Sequence, residues 1–175
     1  STEGKILEDP KKSAPEYIFQ RTVAPEKAPN KASFVTIGFK KGDPVSVNNK
    51  KLTPAKLLQK LNLVAGKNGI GRVDLVENRF IGIKSRGIYE TPGGTLLVVA
   101  HRAMESVTLD KKTMHKKDEI MPKYAELIYN GFWFSKARFK LQKIVDLKRN
   151  QVSGSIKLRL YKGNITIVSR NSKNK

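Results

Sequence analysis

Eight prolines set where this chain can run as helix and where it cannot. Proline lacks an amide hydrogen, and its ring clashes with the preceding turn, so it suits a helix start and disrupts a helix interior. Pro10, Pro15, Pro25 and Pro29 forbid a long helix near the start of the chain. Residues 1–31 therefore read as an extended Pro- and Lys-rich segment that drapes over other elements and builds no core of its own. Thr53-Pro54 and Thr91-Pro92 each place proline as the first helical residue behind a threonine cap, where the missing donor is harmless. Pro122 falls inside a helical pattern and is expected to kink or split that helix near Met121.

Between these markers the apolar pattern supplies the elements. Phe34 to Phe39 reads as a strand, Lys41-Gly42-Asp43 as a turn, and Pro44 to Val47 as the returning strand. The helix from Pro54 carries Leu57, Leu58, Leu61 and Val64 as its stripe, with Gly66 placed to end it. Asp74 to Val76 alternates as a strand, and Phe80 to Ile83 suggests another. The helix from Pro92 buries Leu96, Leu97, Val99, Ala100, Met104 and Val107. Asp110 caps the next helix, which runs toward Asn130-Gly131. An amphipathic helix near Lys136 to Lys148 turns Phe139, Ile144 and Leu147 inward. Ser155 to Tyr161 and Ile165 to Val168 form a closing hairpin around Lys162-Gly163-Asn164. The fold class is α+β: antiparallel hairpins in a sheet, packed with helices on one side.

The net charge of +20 would favour an anionic partner if it gathered on one face. Lys11-Lys12, Lys40-Lys41, Lys50-Lys51, Lys111-Lys112 and Lys116-Lys117 instead fall in different elements, without interleaved aromatics, and read as a solvated surface. A basic nucleic-acid-binding module is thus the weaker alternative. A purely structural oligomerisation domain is another, with Phe132-Trp133-Phe134 as its anchor; packing of those aromatics between helices is the favoured reading. The absence of cysteine excludes disulfides and thiolate metal sites. His101 and His115 have no ligand partner at metal spacing, so no metal site is expected. No apolar run is long enough to cross a bilayer, and no secretory signal follows Ser1; a cytoplasmic location is expected.

Residues 71–95 form the densest polar stretch, with charged and apolar residues alternating between two structured elements. Glu77 directly follows an apolar strand, where a partly desolvated carboxylate needs a cation from protein or ligand. The pattern alone favours a structural ion pair to Arg79 or Arg86.

The stretch GRVDLVENRFIGIKSRGIYETPGGT at 71–95 closely resembles the signature of the argininosuccinate synthase family. So do STEGKILEDP at the start, KYAELIYNGFWFS at 123–135 and GSIKLRLYKGNITIVSR at 154–170. Their order and spacing match the second half of that family, so the resemblance covers nearly the whole chain. It implies an ATP-dependent carbon–nitrogen ligase of arginine biosynthesis and the urea cycle, joining citrulline and aspartate and releasing AMP and pyrophosphate. It implies a citrulline site drawing on Ser1, Glu77 and Tyr89, and no catalytic residue in this stretch. A homotetramer is implied for the whole enzyme.

ATP, with magnesium, is implied as co-substrate in an N-terminal domain. The family's Ser-Gly-Gly-Leu-Asp-Thr-Ser-like loop is absent here, and Pro92-Gly93-Gly94-Thr95 opens a helix instead. The expected division is an interdomain segment at 1–31, a C-terminal synthetase domain at 32–170, and a truncated tail at 171–175. A chain so composed is expected to be inactive alone.

Overall fold

Two hairpins at opposite ends of the sequence meet to make the main sheet of this computed structural model, which describes residues 4–174. β1 (Ser33–Lys40) and β2 (Asp43–Val47) form the first, with a two-residue β3 (Lys50–Lys51) beyond. β6 (Gly154–Tyr161) and β7 (Asn164–Asn171) form the second. β1 pairs antiparallel with β6 from Ser33 to Phe39, giving the order β3-β2-β1-β6-β7. Alternation sends Val35, Ile37, Phe39, Ile156, Leu158 and Leu160 to one buried face. The opposite face shows Phe34, with the Lys157 ammonium 5.5 Å above its ring.

α2 (Pro54–Lys67) and α3 (Pro92–Thr108) cover the buried face. Leu57, Leu61, Leu96, Ala100 and Met104 join the strand residues in one core. Both helices start at proline as expected, although neither threonine side chain caps a helix amide. Leu58, placed in the stripe by its spacing, is exposed. Gly66 does not end α2 either. The helix continues to Lys67, Asn68 caps it, and Gly69 takes the left-handed conformation at φ 71°.

Gly66 serves a closer packing. Its carbonyl accepts from the Val23 amide at 3.0 Å, and a Cβ there would stand 2.2 Å from the Arg21 carbonyl oxygen. The early segment lies on α2 at this point, as a draped chain must. A short helix α1 (Gly4–Leu7) precedes it, and Leu7, Ala24 and Ala28 are its buried anchors.

α4 (Lys111–Tyr129) and α5 (Lys136–Val145) pack on one another. The Asp110 carboxylate accepts from the Thr113 amide at 3.0 Å, the expected cap. α4 runs unbroken through Pro122, so the expected split does not occur. Pro122 is exposed, and water can satisfy the carbonyl that loses its donor. Phe132, Trp133 and Phe134 are not core. All three are exposed, Phe134 by 85%. Phe139 and Leu147 also face out, because Arg138 occupies the inward position of α5: its guanidinium donates to the Trp133 carbonyl and lies 4.0 Å from the centre of the Phe139 ring. Lys117 departs from the solvated-surface reading: it is buried and paired with Glu105.

Asp110 also accepts from Lys148, and these bonds hold its carboxyl well below the ordinary carboxylate value of 3.8. A group whose folded pKa is depressed resists protonation in the folded state. Its contribution is therefore complete above the unfolded value and fades as pH falls toward the folded one. Asp110→Asn in the full-length protein is expected to lower Tm at neutral pH, and the gap from wild type should narrow progressively below about pH 4. Paired thermal melts across pH check this; a constant gap would refute it.

Candidate functional site

A second sheet, separate from the first, carries the residues of interest. β4 (Arg72–Asn78) and β5 (Lys84–Glu90) pair antiparallel, with Val73 opposite Tyr89 and Glu77 opposite Ser85. The Phe80–Ile83 run is not a strand, as its apolar content suggests, but the hairpin's turn. Gly82 adopts φ 84° there, and the Arg79 amide donates to the Ile83 carbonyl at 2.9 Å. Phe80 and Ile81 stand exposed at the tip.

The period of two gives this ribbon two different faces. The first holds Arg72, Asp74, Arg86, Ile88 and Glu90 and grips the early segment. Arg72 forks onto Glu16 at 2.6 and 2.8 Å, donates to the Thr22 side chain and carbonyl at 2.9 Å each, and stacks 3.9 Å over Phe19. Glu90, directly across from Arg72, accepts from the Gln20 and Arg21 amides and from the Thr22 hydroxyl at 2.7 to 2.9 Å. Burial pushes the Glu90 carboxyl up, but the Thr22 hydroxyl and the amides of Gln20, Arg21 and Thr22 outweigh it, and the net direction is down. The ionised form of Glu90 is thus part of the clasp.

The other face carries Val73, Leu75, Glu77, Ser85, Gly87 and Tyr89. Glu77 and Tyr89 are apart in register, yet the Tyr89 hydroxyl donates to the Glu77 carboxylate at 3.2 Å. Gly87 makes this possible. A Cβ on Gly87 would lie 2.5 Å from Tyr89 Cε2 and 2.8 Å from its hydroxyl oxygen. The ring lies in the space a side chain would fill and points along the strand toward Glu77. Gly82 eases the chain reversal, whereas Gly87 provides clearance.

A third group arrives from elsewhere. Tyr129, the last residue of α4, lies near enough for the Glu77 charge to raise its phenol pKa. Desolvation raises the pKa of both phenols, and the Glu77 charge raises them further. Arg79 works in the opposite direction on both. It donates to the Ser85 hydroxyl at 3.1 Å and not to Glu77. Arg86 gives both arms of its fork to Asp74. Among the described residues no lysine, arginine or histidine forms an ion pair with Glu77. The structural ion pair favoured by the pattern is therefore not formed. Glu77 is left as a half-buried acceptor for the Tyr89 phenol, with Tyr129 nearby, open to a cationic group.

The family of this chain follows from its whole length: residues 1–175 match the model of the arginosuccinate synthase C-terminal domain. The chain belongs to the argininosuccinate synthase family. It is 82% identical over 173 residues to the argininosuccinate synthase of Pelagibacter ubique, covering 99% of this chain and 44% of that protein. It is 60% identical to the enzymes so named from Parvibaculum lavamentivorans and Azorhizobium caulinodans, covering 98% of this chain and 42% of each. The chain thus spans less than half the length of these relatives of the argininosuccinate synthase family.

Of the three residues drawn from the family resemblance, Glu77 and Tyr89 are brought together and Ser1 lies outside the described residues. Tyr129 is the residue that sequence reasoning misses. Its only signal is its place at the end of a helical stripe before Asn130-Gly131, which reads as a helix terminus and not as a site. Among the described residues no three His, Asp or Glu side chains gather as metal ligands, and no helix is long and apolar enough to cross a membrane.

Proposed function

We propose that this chain is the citrulline-holding C-terminal part of an argininosuccinate synthase. The reaction is citrulline plus aspartate plus ATP giving argininosuccinate, AMP and pyrophosphate, a step of arginine biosynthesis. Citrulline's ureido oxygen attacks the α-phosphate, pyrophosphate leaves, and the aspartate amine then displaces AMP from the ureido carbon. Glu77 receives the α-ammonium of citrulline, Tyr89 supplies a phenol hydroxyl, and Ser1 supplies a second hydroxyl for the polar head or ureido group. ATP with magnesium binds mainly to the N-terminal portion that the relatives carry in their additional length. Residues 1–31 are the interdomain segment, 32–170 the synthetase domain and 171–175 a tail. The full-length enzyme works in the cytoplasm as a homotetramer, and this chain alone does not turn over.

The observation that supports the reading is a carboxylate with a hydrogen-bond donor but, among the described residues, no ion-paired cation. The Tyr89 phenol donates to Glu77, and a half-buried carboxylate so placed is stabilised by an ammonium group from outside. A structural carboxylate would be expected to have found a cation of its own. No observation favours a nucleic-acid-binding or oligomerisation module over this reading.

Glu77→Gln keeps the shape and removes the charge. A charge-assisted contact contributes about 1.5 kcal/mol or more, so in the full-length enzyme the citrulline KM should rise roughly tenfold. The KM for ATP should stay within about twofold, because that pocket is elsewhere. An unchanged citrulline KM with a lowered Tm would assign Glu77 a purely structural role.

A further inference from the structure

The main sheet packs α2 and α3 on the side that carries Val35, Ile37, Ile156 and Leu158. Its other side has a chemistry of its own. Alternation sends Phe34 and Thr36 of β1 to that side. Register fixes their neighbours: Arg159 lies across from Phe34, and Lys157 across from Thr36. Tyr161 follows two residues after Arg159 and shares the same side. Lys51 joins from the β3 edge, opposite Ser46, which in turn lies opposite Gly38.

Three cations and two aromatic rings therefore share one face of the sheet. The five strands hold a single carboxylate, Asp43, at the β1–β2 turn, where Arg149 pairs with it at 2.5 Å. Among the described residues none of Lys51, Lys157 and Arg159 forms an ion pair. Two of them lie by rings instead. The Lys157 ammonium is 5.5 Å from the centre of the Phe34 ring, and the Arg159 guanidinium 5.1 Å from that of Tyr161. Phe34 is 52% exposed, so its ring is open to a further partner. Reading along the chain hides this face. Most of the paired lysines lie in other elements, and rings alternate with cations only once β1 is laid against β6.

We propose that this face binds single-stranded nucleic acid, a second activity that does not rest on the citrulline reading. Phosphates meet the three cations, which have no carboxylate of their own. Unpaired bases stack on Phe34 and Tyr161, as every base has a π-face to offer. A duplex keeps its base faces inside the stack, so the rings gain nothing from it.

The test uses the full-length protein with fluorescein-labelled oligo(U) and oligo(dT) of about 20 nucleotides, read by anisotropy. Three phosphate contacts give a log–log salt slope of about −2, so Kd should weaken roughly twentyfold between about 50 and 200 mM salt. Phe34→Leu keeps the apolar bulk and removes the ring; it should weaken binding about fivefold or more at every salt concentration, with the slope unchanged. Lys157→Gln should flatten the slope by about 0.7. Both variants should keep Tm and citrulline kinetics close to wild type, since the face is separate from the β4–β5 ribbon. Lys111→Gln combined with Lys112→Gln removes two charges from α4 and should leave Kd within about twofold. Binding of either strand supports the proposal, and the tighter one identifies the preferred sugar. The proposal is overturned by any of four results: no binding at low salt, a duplex bound as tightly as the single strands, an α4 variant as impaired as Lys157→Gln, or phosphatidylserine vesicles bound in place of the oligonucleotides.

Discussion

Gly87→Ala should reduce citrulline kcat/KM roughly a hundredfold while leaving the protein folded. The added methyl would sit 2.5 Å from Tyr89 Cε2, 2.8 Å from Cζ and 2.8 Å from the hydroxyl oxygen, all far inside contact distance. The atoms it strikes are the far end of a side chain that is already half exposed, so the ring can swing away at small expense to stability. What is lost is the bond from Tyr89 to Glu77 and, on the proposed reading, the phenol's contact with citrulline. Two hydrogen bonds involving charged groups, at about 1.5 kcal/mol each, give the expected hundredfold. The same substitution on a Tyr89→Ala background should add little, because there is then no ring to displace. Steady-state kinetics on the four enzymes checks both statements. A Gly87→Ala enzyme with normal citrulline kinetics would mean that the Tyr89 position is irrelevant to the substrate.

Gly66→Ala is expected to act on stability instead, with a net loss of about 2 kcal/mol or more and a Tm lower by several degrees. Two effects oppose one another here. Alanine in a helix is better than glycine by about 1 kcal/mol, which would stabilise α2. Against this, the new Cβ would meet the Arg21 carbonyl oxygen at 2.2 Å and the Arg21 carbonyl carbon at 3.4 Å. These are backbone atoms, and they cannot turn aside as a tyrosine ring can. Arg72 and Glu90 hold the same stretch from the ribbon side, so moving it off α2 also strains that clasp. The backbone clash therefore outweighs the helix propensity. Gly94→Ala is the matched control: it lies in the first helical turns of α3, and its Cβ would meet only Thr91 Cβ, at 3.8 Å. That variant should be neutral or slightly stabilised. Thermal melts of the two variants side by side test the assignment, and equal Tm values would refute it.

These two glycines also show what a sequence can reveal about such a fold. The main sheet is readable because its strands alternate cleanly and its turns carry Lys41-Gly42-Asp43 and Lys162-Gly163-Asn164. The starts of α2 and α3 are readable because a proline behind threonine has few other uses. Gly66 and Gly87 are not readable in the same way. Each is required by an atom far away in sequence or across a strand, and nothing local distinguishes them from a helix terminator or a hinge. The Phe80–Ile83 run misleads for a related reason: an apolar tetrad implies a buried strand, but here it forms the exposed tip of a ribbon. The exposed aromatics Phe132 to Phe134 mislead likewise, since size and hydrophobicity suggest a core. At the site, the pairing of Glu77 with Tyr89 follows from the family resemblance, whereas the nearness of Tyr129 depends on where α4 ends.

The most direct measurement is a crystal structure of the full-length enzyme with citrulline bound. The account expects the citrulline α-ammonium about 3 Å from the Glu77 carboxylate, with the Tyr89 hydroxyl also within hydrogen-bond distance of the ligand. Citrulline bound elsewhere, with the Glu77 carboxylate still occupied only by the Tyr89 phenol, would contradict it.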